Sequence, residues 1–328
     1  MKILFVTSTR LGDCVISTAI LDYIERHYAH AEVTVAGGSL GLGLLSQFPQ
    51  VKETIPMKKL SFNRHWLKLW WQTVSTKWDI VIDIRGSATS HLLLAGKKFI
   101  WDSKYKKPDS VTGKYPHKIE QLQRLLKTDE ILNTKLYFQP ELNEFATKAL
   151  QGCEKVIAVA PSANWLGKIW PAEKFIELIK RIREERSDFK DAHVAVFAAP
   201  GEEHYAKPVL DSIEQDKQLD FIAKTKPAEA AAIISKCDLF IGNDSGLMHC
   251  AAASAIPTVG FFGPTDVKTY APYGPYTEVA HTKESFENLN ITKDTLAEDE
   301  LQQLMESLSV EDAFISVNSV LSKVNTDQ

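Results

Sequence analysis

Leu239 to Thr265 reads LFIGNDSGLMHCAAASAIPTVGFFGPT, and the fold follows from this stretch. The apolar run Leu239 to Gly242 predicts a strand, Asn243 to Gly246 a polar turn, and the small residues after it a helix. Thr258 to Phe262, entered through Pro257, predicts a second strand. Together they make a βαβ unit, whose ligand position is the helix N-terminus, where unpaired backbone N–H groups face outward. The residues there suit an anion. Gly246 lets a phosphate approach the backbone, Ser245 adds a hydroxyl donor, and His249 lies one turn further on, on the face of Ser245. The same residues also read as an ordinary helix start, with Asn243 or Asp244 as the cap.

The chain around this unit has 328 residues, of which 44% are hydrophobic. That exceeds what one compact core usually holds, so two domains are expected, 1–150 and 151–328. Cys14, Cys153, Cys237 and Cys250 form no CxxC pair. They predict reduced, mostly buried thiols of a cytosolic protein, not a disulfide framework or a zinc site. The apolar opening Met1 to Val6 is too short for a signal-peptide core, and no apolar run approaches the ~18 residues of a spanning helix. A soluble, cytoplasmic protein is therefore expected. The net charge of −4 conceals an imbalance. Residues 1–150 carry 21 Lys and Arg against 14 Asp and Glu, and residues 151–328 carry 17 against 28. A basic first half suits an anionic substrate or surface. No nucleic-acid-binding motif accompanies it.

In the first half, Lys2 to Thr7 and Glu32 to Ala36 predict strands flanking a helix from Cys14 to His27. Arg10, Leu11, Gly12 and Asp13 then fall on the loop after strand one, where α/β proteins place reactive groups. Asp13 is a candidate general base or an ordinary N-cap. Gly37, Gly38, Gly41 and Gly43 read as a flexible loop, since GGSLGLG is a weak match to a dinucleotide fingerprint. Short strands are expected at Val51 to Ile55 and Ile80 to Ile84, the latter ending at Asp83-Ile84-Arg85-Gly86.

Between those strands, Phe62, Trp66, Leu69, Trp70 and Val74 line one helical face, near Lys58, Lys59, Arg64 and Lys68. Such a stripe fits an anionic membrane surface or packing on the domain core. Lys97, Lys98, Lys104, Lys106, Lys107, Lys114 and Lys118 mark a lysine-rich loop that also holds Trp101, Tyr105, Tyr115 and His117. Its functional reading is a hold on a phosphorylated or lipid-linked acceptor. A helix from His117 to Lys127 and an extended Lys135 to Phe138 lead to the domain junction.

In the second half, the strand Lys155 to Ala160 is followed by the loop Ser162-Ala163-Asn164-Trp165-Leu166-Gly167-Lys168-Ile169-Trp170, and Pro171 opens a helix. Lys168 on that loop is free to reach a phosphate. The strand Val194 to Phe197 leads to Glu202, where α/β folds put the acid that takes a ribose hydroxyl, and where acids also collect for dipole reasons. A strand at Phe221 to Ala223 and a helix at Pro227 to Lys236 return the chain to the opening unit. The amphipathic Val310 to Leu321 helix is a candidate to pack back on the first domain. Two such halves would face each other across a cleft, with Asp13 on one wall and Lys168, Glu202, Ser245, Gly246 and His249 on the other.

Arg-Leu-Gly-Asp at 10–13, Lys168-Ile169-Trp170-Pro171, the run Asn243 to His249 and Phe262-Gly263-Pro264-Thr265 together resemble glycosyltransferase family 9, the lipopolysaccharide heptosyltransferases. The resemblance spans nearly the whole chain. It implies a GT-B fold of two Rossmann-like domains, with a nucleotide-sugar donor (ADP-heptose for the best-known members) in the C-terminal one and an inner-core lipopolysaccharide acceptor in the N-terminal one. It implies Asp13 as catalytic base, Lys168 on donor phosphate, Glu202 on ribose, and Asp244, Ser245, Gly246 and His249 at the sugar and pyrophosphate. Ser162 and Asn164 stand as donor-side candidates where the family usually carries threonines, and Ile169 replaces the usual Arg or His. Arg10, Lys104, Lys106, Lys107 and His117 are the acceptor-side candidates.

The expected reaction is an inverting transfer with preorganised donors on the leaving diphosphate. No acidic DxD cluster is evident, so neither a metal nor a cofactor is required beyond the ADP-sugar substrate. The expected partners are the nucleotide sugar and an anionic glycolipid, with contact at the inner face of the inner membrane left open and no nucleic acid. The rival readings are a nucleotide-sugar epimerase on a GT-B fold and a non-catalytic nucleotide-binding protein of envelope assembly.

Overall fold

The computed structural model describes residues 1–110, 112–289 and 296–327, and the chain divides into two compact units, Met1–Pro140 and Glu141–Gln328. The division falls at 140/141, against the expected 150/151, because the helix Pro140–Ala149 joins the second unit from Glu141 on.

The first unit is built on five parallel strands, β1 (Lys2–Val6), β2 (Glu32–Gly37), β3 (Val51–Pro56), β4 (Trp78–Asp83) and β5 (Ala95–Ile100), in the order β3-β2-β1-β4-β5. The central strand β1 is apolar without alternation, and Ile3, Leu4, Phe5 and Val6 are all fully buried. That is the pattern of a parallel strand covered on both faces. Lys97 and Lys98, expected on a loop, lie on β5 at the sheet edge, where lysine discourages further strand pairing. The sheet order reverses between β1 and β4, so the connections leaving them diverge and open a crevice at their C-terminal ends.

The expected loop after β2 is a helix, Ser39–Leu45. Its glycines serve packing. A Cβ on Gly41 would sit 2.4 Å from Cys14 Sγ, so the missing side chain lets this helix lie against the helix Leu11–Ile16.

The second unit has six parallel strands, β6 (Val156–Ala160), β7 (His193–Ala198), β8 (Gln218–Ile222), β9 (Leu239–Asn243), β10 (Thr258–Phe262) and β11 (Thr277–His281), in the order β11-β10-β9-β6-β7-β8. Here the switch lies between β6 and β9, so the loops after these two strands share the crevice. The last helix, Val310–Asp327, packs on β10, β11 and the helix Ala172–Glu185 of its own unit. Ala313, Phe314, Val317 and Val320, the face considered for the first domain, are buried in one core with Trp170, Phe175 and Phe261. Trp170 anchors that core, its ring 4.7 Å from Phe261 and its indole N–H donating to the Leu308 carbonyl at 3.0 Å. Among the described residues no helix is long and apolar enough to cross a membrane.

Candidate active site

In the first unit the chemistry collects at the switch point. Asp13 is neither on the loop nor a cap: it sits in the first turn of the helix Leu11–Ile16, with Arg10 at the N-cap. Its carboxylate accepts a hydrogen bond from Ser8 Oγ at 3.3 Å. Asp13 lines a cavity of ≈ 250 Å³ together with Ser8, Arg85, Trp101, Lys106 and Lys118. The loop that leads into its helix is held by the residue that follows β2. Gly38 N–H donates to the Ser8 carbonyl at 3.0 Å, and a Cβ on Gly38 would lie 2.6 Å from the Thr9 backbone. Cys14, behind Asp13, is buried, and burial and the Asp13 charge push its thiol up to about 12, which keeps it protonated and inert.

Arg85 reaches this cavity from the end of β4, and Asp83 explains how. Asp83 is fully buried, yet its carboxylate accepts the N–H groups of Arg85 (2.7 Å), Gly86 (3.1 Å) and Ser87 (2.9 Å) and the hydroxyls of Ser87 (2.6 Å) and Ser90 (2.7 Å). Those donors replace the water that a buried carboxylate loses. The result is a rigid turn, closed by Gly86 at φ 65°, that presents Arg85. Lys118 begins the helix Lys118–Leu126. Burial pushes its ammonium below the ordinary lysine value, against the attraction of Asp13 and with the repulsion of Lys106 and Arg10.

Of the five acceptor-side candidates, Lys106 lines the cavity and the others do not. Lys104 pairs with Asp102 at 3.3 Å, and the Lys107 carbonyl accepts from Arg124 at 2.7 Å. His117 caps its helix: its Nδ1 accepts from Ile119 N–H at 3.2 Å while Glu120 accepts from His117 N–H at 3.1 Å. Arg10 is exposed, and its charge is felt at Lys118. Ser8 and Arg85 lie outside the sequence candidates, while Trp101 and Lys118 belong to the lysine-rich stretch read as an acceptor hold without being among its five named residues. Arg85 lies two residues past the C-terminal end of β4 and Trp101 directly past that of β5, and that position is the available signal.

In the second unit the loops after β6 and β9 meet as the topology requires. Asn243 does not cap the helix. Buried, it accepts Trp170 N–H at 3.1 Å and donates to the Pro161 carbonyl at 2.9 Å, so it ties the 161–170 loop to the end of β9. Asp244 does not cap it either. Its carboxylate accepts from Lys168 Nζ at 2.5 Å, and its N–H donates to the Phe261 carbonyl. The N-cap of the helix Gly246–Ala253 is Ser245, in extended conformation and with no side-chain capping bond. Ser245 Oγ is buried and has no hydrogen-bond partner. A buried hydroxyl beside the free N–H groups of a first helical turn suits an anion that would satisfy both.

His249 is buried one turn on, and Gly260 admits the helix to the sheet, since a Cβ there would sit 2.3 Å from Met248 Sδ. Ser162 is buried and Asn164 exposed on the loop after β6. Glu202 is at the N-cap of the helix Glu203–Asp211, past the end of β7, half-buried and without a side-chain capping bond. Among the described residues no group of three or more His, Cys, Asp or Glu side chains could hold a metal ion.

The family model of glycosyltransferase family 9 (heptosyltransferase) matches residues 66–297. The chain is 28% identical over 285 residues to lipooligosaccharide heptosyltransferase 2 of Campylobacter jejuni, covering 83% of this chain and 84% of that protein. Among solved structures, the family 9 glycosyltransferase of Veillonella parvula aligns at a TM-score of 0.74 and 20% identity, covering 98% of this chain and 97% of that one. The Escherichia coli ADP-heptose lipopolysaccharide heptosyltransferase II aligns at 0.70 and 19% identity, covering 99% and 100%. The two Rossmann-like units are those of the GT-B fold.

Proposed function

Because the chain belongs to glycosyltransferase family 9, we propose that it transfers heptose from ADP-heptose to an inner-core lipopolysaccharide acceptor, with inversion and with Asp13 as general base. The observation that carries this reading is Asp13 in a cavity whose other charged walls, Arg85, Lys106 and Lys118, are all cationic. An acceptor bearing carboxylate or phosphate groups is attracted to those cations, and its hydroxyl is brought to a carboxylate that can take the proton. The names of the relatives support the sugar and the acceptor class.

The donor belongs to the second unit. Its diphosphate is held by Lys168, Ser245 Oγ and the N–H groups at Gly246, with Asp244 and His249 toward the sugar and Glu202 on the ribose. Ser162 and Asn164 flank it. As the acceptor oxygen bonds to the anomeric carbon, the bond to the diphosphate breaks and negative charge grows on ADP. Fixed donors aimed at that charge lower the barrier. Lys168 is suited to this because Asp244 and the Asn243 tie hold it in place beforehand. The reading uses no cofactor or metal besides the nucleotide sugar, and places the enzyme at the cytoplasmic side of the inner membrane.

The test is a panel of ADP-, UDP- and GDP-sugars incubated with and without a heptose-deficient lipopolysaccharide. ADP-heptose consumption that depends on the acceptor and yields ADP supports the proposal. Conversion of donor without acceptor would replace it with epimerisation, and binding without turnover would replace it with a non-catalytic role.

A further inference from the structure

The aromatic stripe noted in the sequence divides in the structure. Trp66, Trp70 and Val74 turn inward with Leu69 and pack against Met57, Trp78 and Val81 in the first unit's core. The opposite face of the helix Arg64–Thr73 is left outside with a composition that solvent does not favour. Leu67 and Trp71, four residues apart and hence on one face, are 65% and 75% exposed. Just before the helix, Phe62 is 96% exposed, lifted out by a turn in which Phe62 and Asn63 both hold positive φ, 53° and 56°. Phe62 in particular holds a backbone region that L side chains with a bulky ring avoid, and no burial of its ring offsets that cost.

Charge surrounds this apolar face. Lys58, Lys59, Arg64 and Lys68 are exposed, and no acidic residue occurs between Glu53 and Asp79. A cleft of ≈ 180 Å³ opens beside the helix, walled by Lys58, Lys68, His65 and Leu60 and floored by Met57 and Leu69. The short helix Ala88–Leu92, which packs on this one, adds exposed Leu92, and the residues just after it add exposed Leu94.

We propose that the segment Lys58–Trp71 docks the protein on an anionic phospholipid bilayer. Phe62, Leu67 and Trp71 enter the boundary between headgroups and acyl chains, while Lys58, Arg64 and Lys68 meet the headgroup phosphates. The charge argues for this occupant. An apolar partner alone would leave the lysines without counter-charge, and an acidic soluble partner would leave Phe62 and Trp71 without an apolar medium, whereas a bilayer of anionic lipid supplies both at once. The inner face of the same helix carries Trp66, whose ring lies 5.7 Å from the Arg85 guanidinium of the Asp13 cavity. One helix therefore touches the docking surface on one side and the cavity wall on the other. For the lipid-anchored acceptor of the proposed function, on which this step rests, this brings the cavity to the plane where the acceptor resides.

The test is sedimentation of the full chain, without donor or acceptor, with vesicles of phosphatidylcholine alone or mixed with phosphatidylglycerol. The protein should pellet with the mixed vesicles and be released by high salt. Combined Phe62→Ser, Leu67→Ser and Trp71→Ser, and separately combined Lys58→Glu and Lys68→Glu, should each lower vesicle partitioning by about tenfold or more. Both should keep the wild-type Tm within a few degrees, because the altered side chains are exposed. Equal binding to pure phosphatidylcholine, unchanged partitioning of both variants, or a concentration-dependent dimer that both variants abolish without any vesicle binding would overturn the proposal. Turnover of a lipid-free acceptor by the same variants reads the transferase separately: a chain that binds vesicles but transfers nothing refutes the function and leaves the docking standing.

Discussion

Lys168 Nζ and the Asp244 carboxylate, 76 residues apart in the chain, meet at 2.5 Å at the switch point of the second sheet, with Asp244 only 7% exposed. The contact does two things. It compensates a carboxylate that burial would otherwise penalise, and it fixes an ammonium at the site proposed for the donor diphosphate. Lys168→Ala should therefore affect both stability and catalysis. Stability should fall by on the order of 2 kcal/mol, less than for a fully buried pair because Lys168 is 22% exposed. Adding Asp244→Asn should recover much of the Tm and none of the turnover, since the stranded charge is removed but the phosphate contact is not restored. Urea melts and steady-state kinetics on the single and double variants measure the two effects.

Ser245 gives the opposite signature. Its buried hydroxyl lacks a partner in the free protein, at a cost of about 1–3 kcal/mol that a bound phosphate would relieve. Ser245→Ala should leave the ligand-free Tm unchanged or raise it, while shrinking the Tm increase produced by saturating ADP. A lower ligand-free Tm with an undiminished ADP shift would make Ser245 a structural residue alone.

Lys118 sets a pH dependence. Burial lowers its proton affinity in the folded chain, so its positive charge is lost at a lower pH than that of an ordinary lysine. The KM for an anionic acceptor should accordingly rise on the alkaline side. Lys118→Arg, whose guanidinium stays protonated, should move that rise to higher pH while kcat at neutral pH changes little. The linkage has a matching sign. The unfolded chain binds more protons at this residue, so Lys118 contributes stability above its unfolded value and loses that contribution as pH falls through the folded one. Acceptor KM across pH for the two proteins is the measurement.

Much of this was legible in the sequence, for physical reasons that differ from place to place. The strands at Lys2 to Val6 and Leu239 to Asn243 are uninterrupted apolar runs between turn residues, so their burial on both faces shows directly. Asp13, Lys168 and Ser245 lie on the segments that leave the C-terminal ends of β1, β6 and β9, which is where topology puts reactive groups. The Gly37 to Gly43 stretch looks like a loop in sequence because glycine clusters usually signal backbone freedom, whereas Gly41 is small to let Cys14 approach and Gly38 to let Thr9 approach. β5 went unseen because an edge strand needs no apolar alternation and its lysines resembled a loop. The wall residues Arg85 and Lys118 were invisible as a pair, since their meeting at Asp13 depends on the β3-β2-β1-β4-β5 order. The tryptophan stripe was identified on the right helix, but only packing shows that Trp66 and Trp70 are inside and that Leu67 and Trp71 are the exposed face.

The central claim is that Asp13 removes the acceptor proton. The most direct measurement is the single-turnover rate of heptose transfer from ADP-heptose by Asp13→Asn, a near-isosteric change that keeps the Ser8 contact within reach, alongside the Kd of ADP-heptose for the same variant. The account predicts a rate lower by roughly 10²–10⁴-fold with a donor Kd near that of the wild type. A transfer rate close to wild type would contradict it and remove Asp13 from the mechanism.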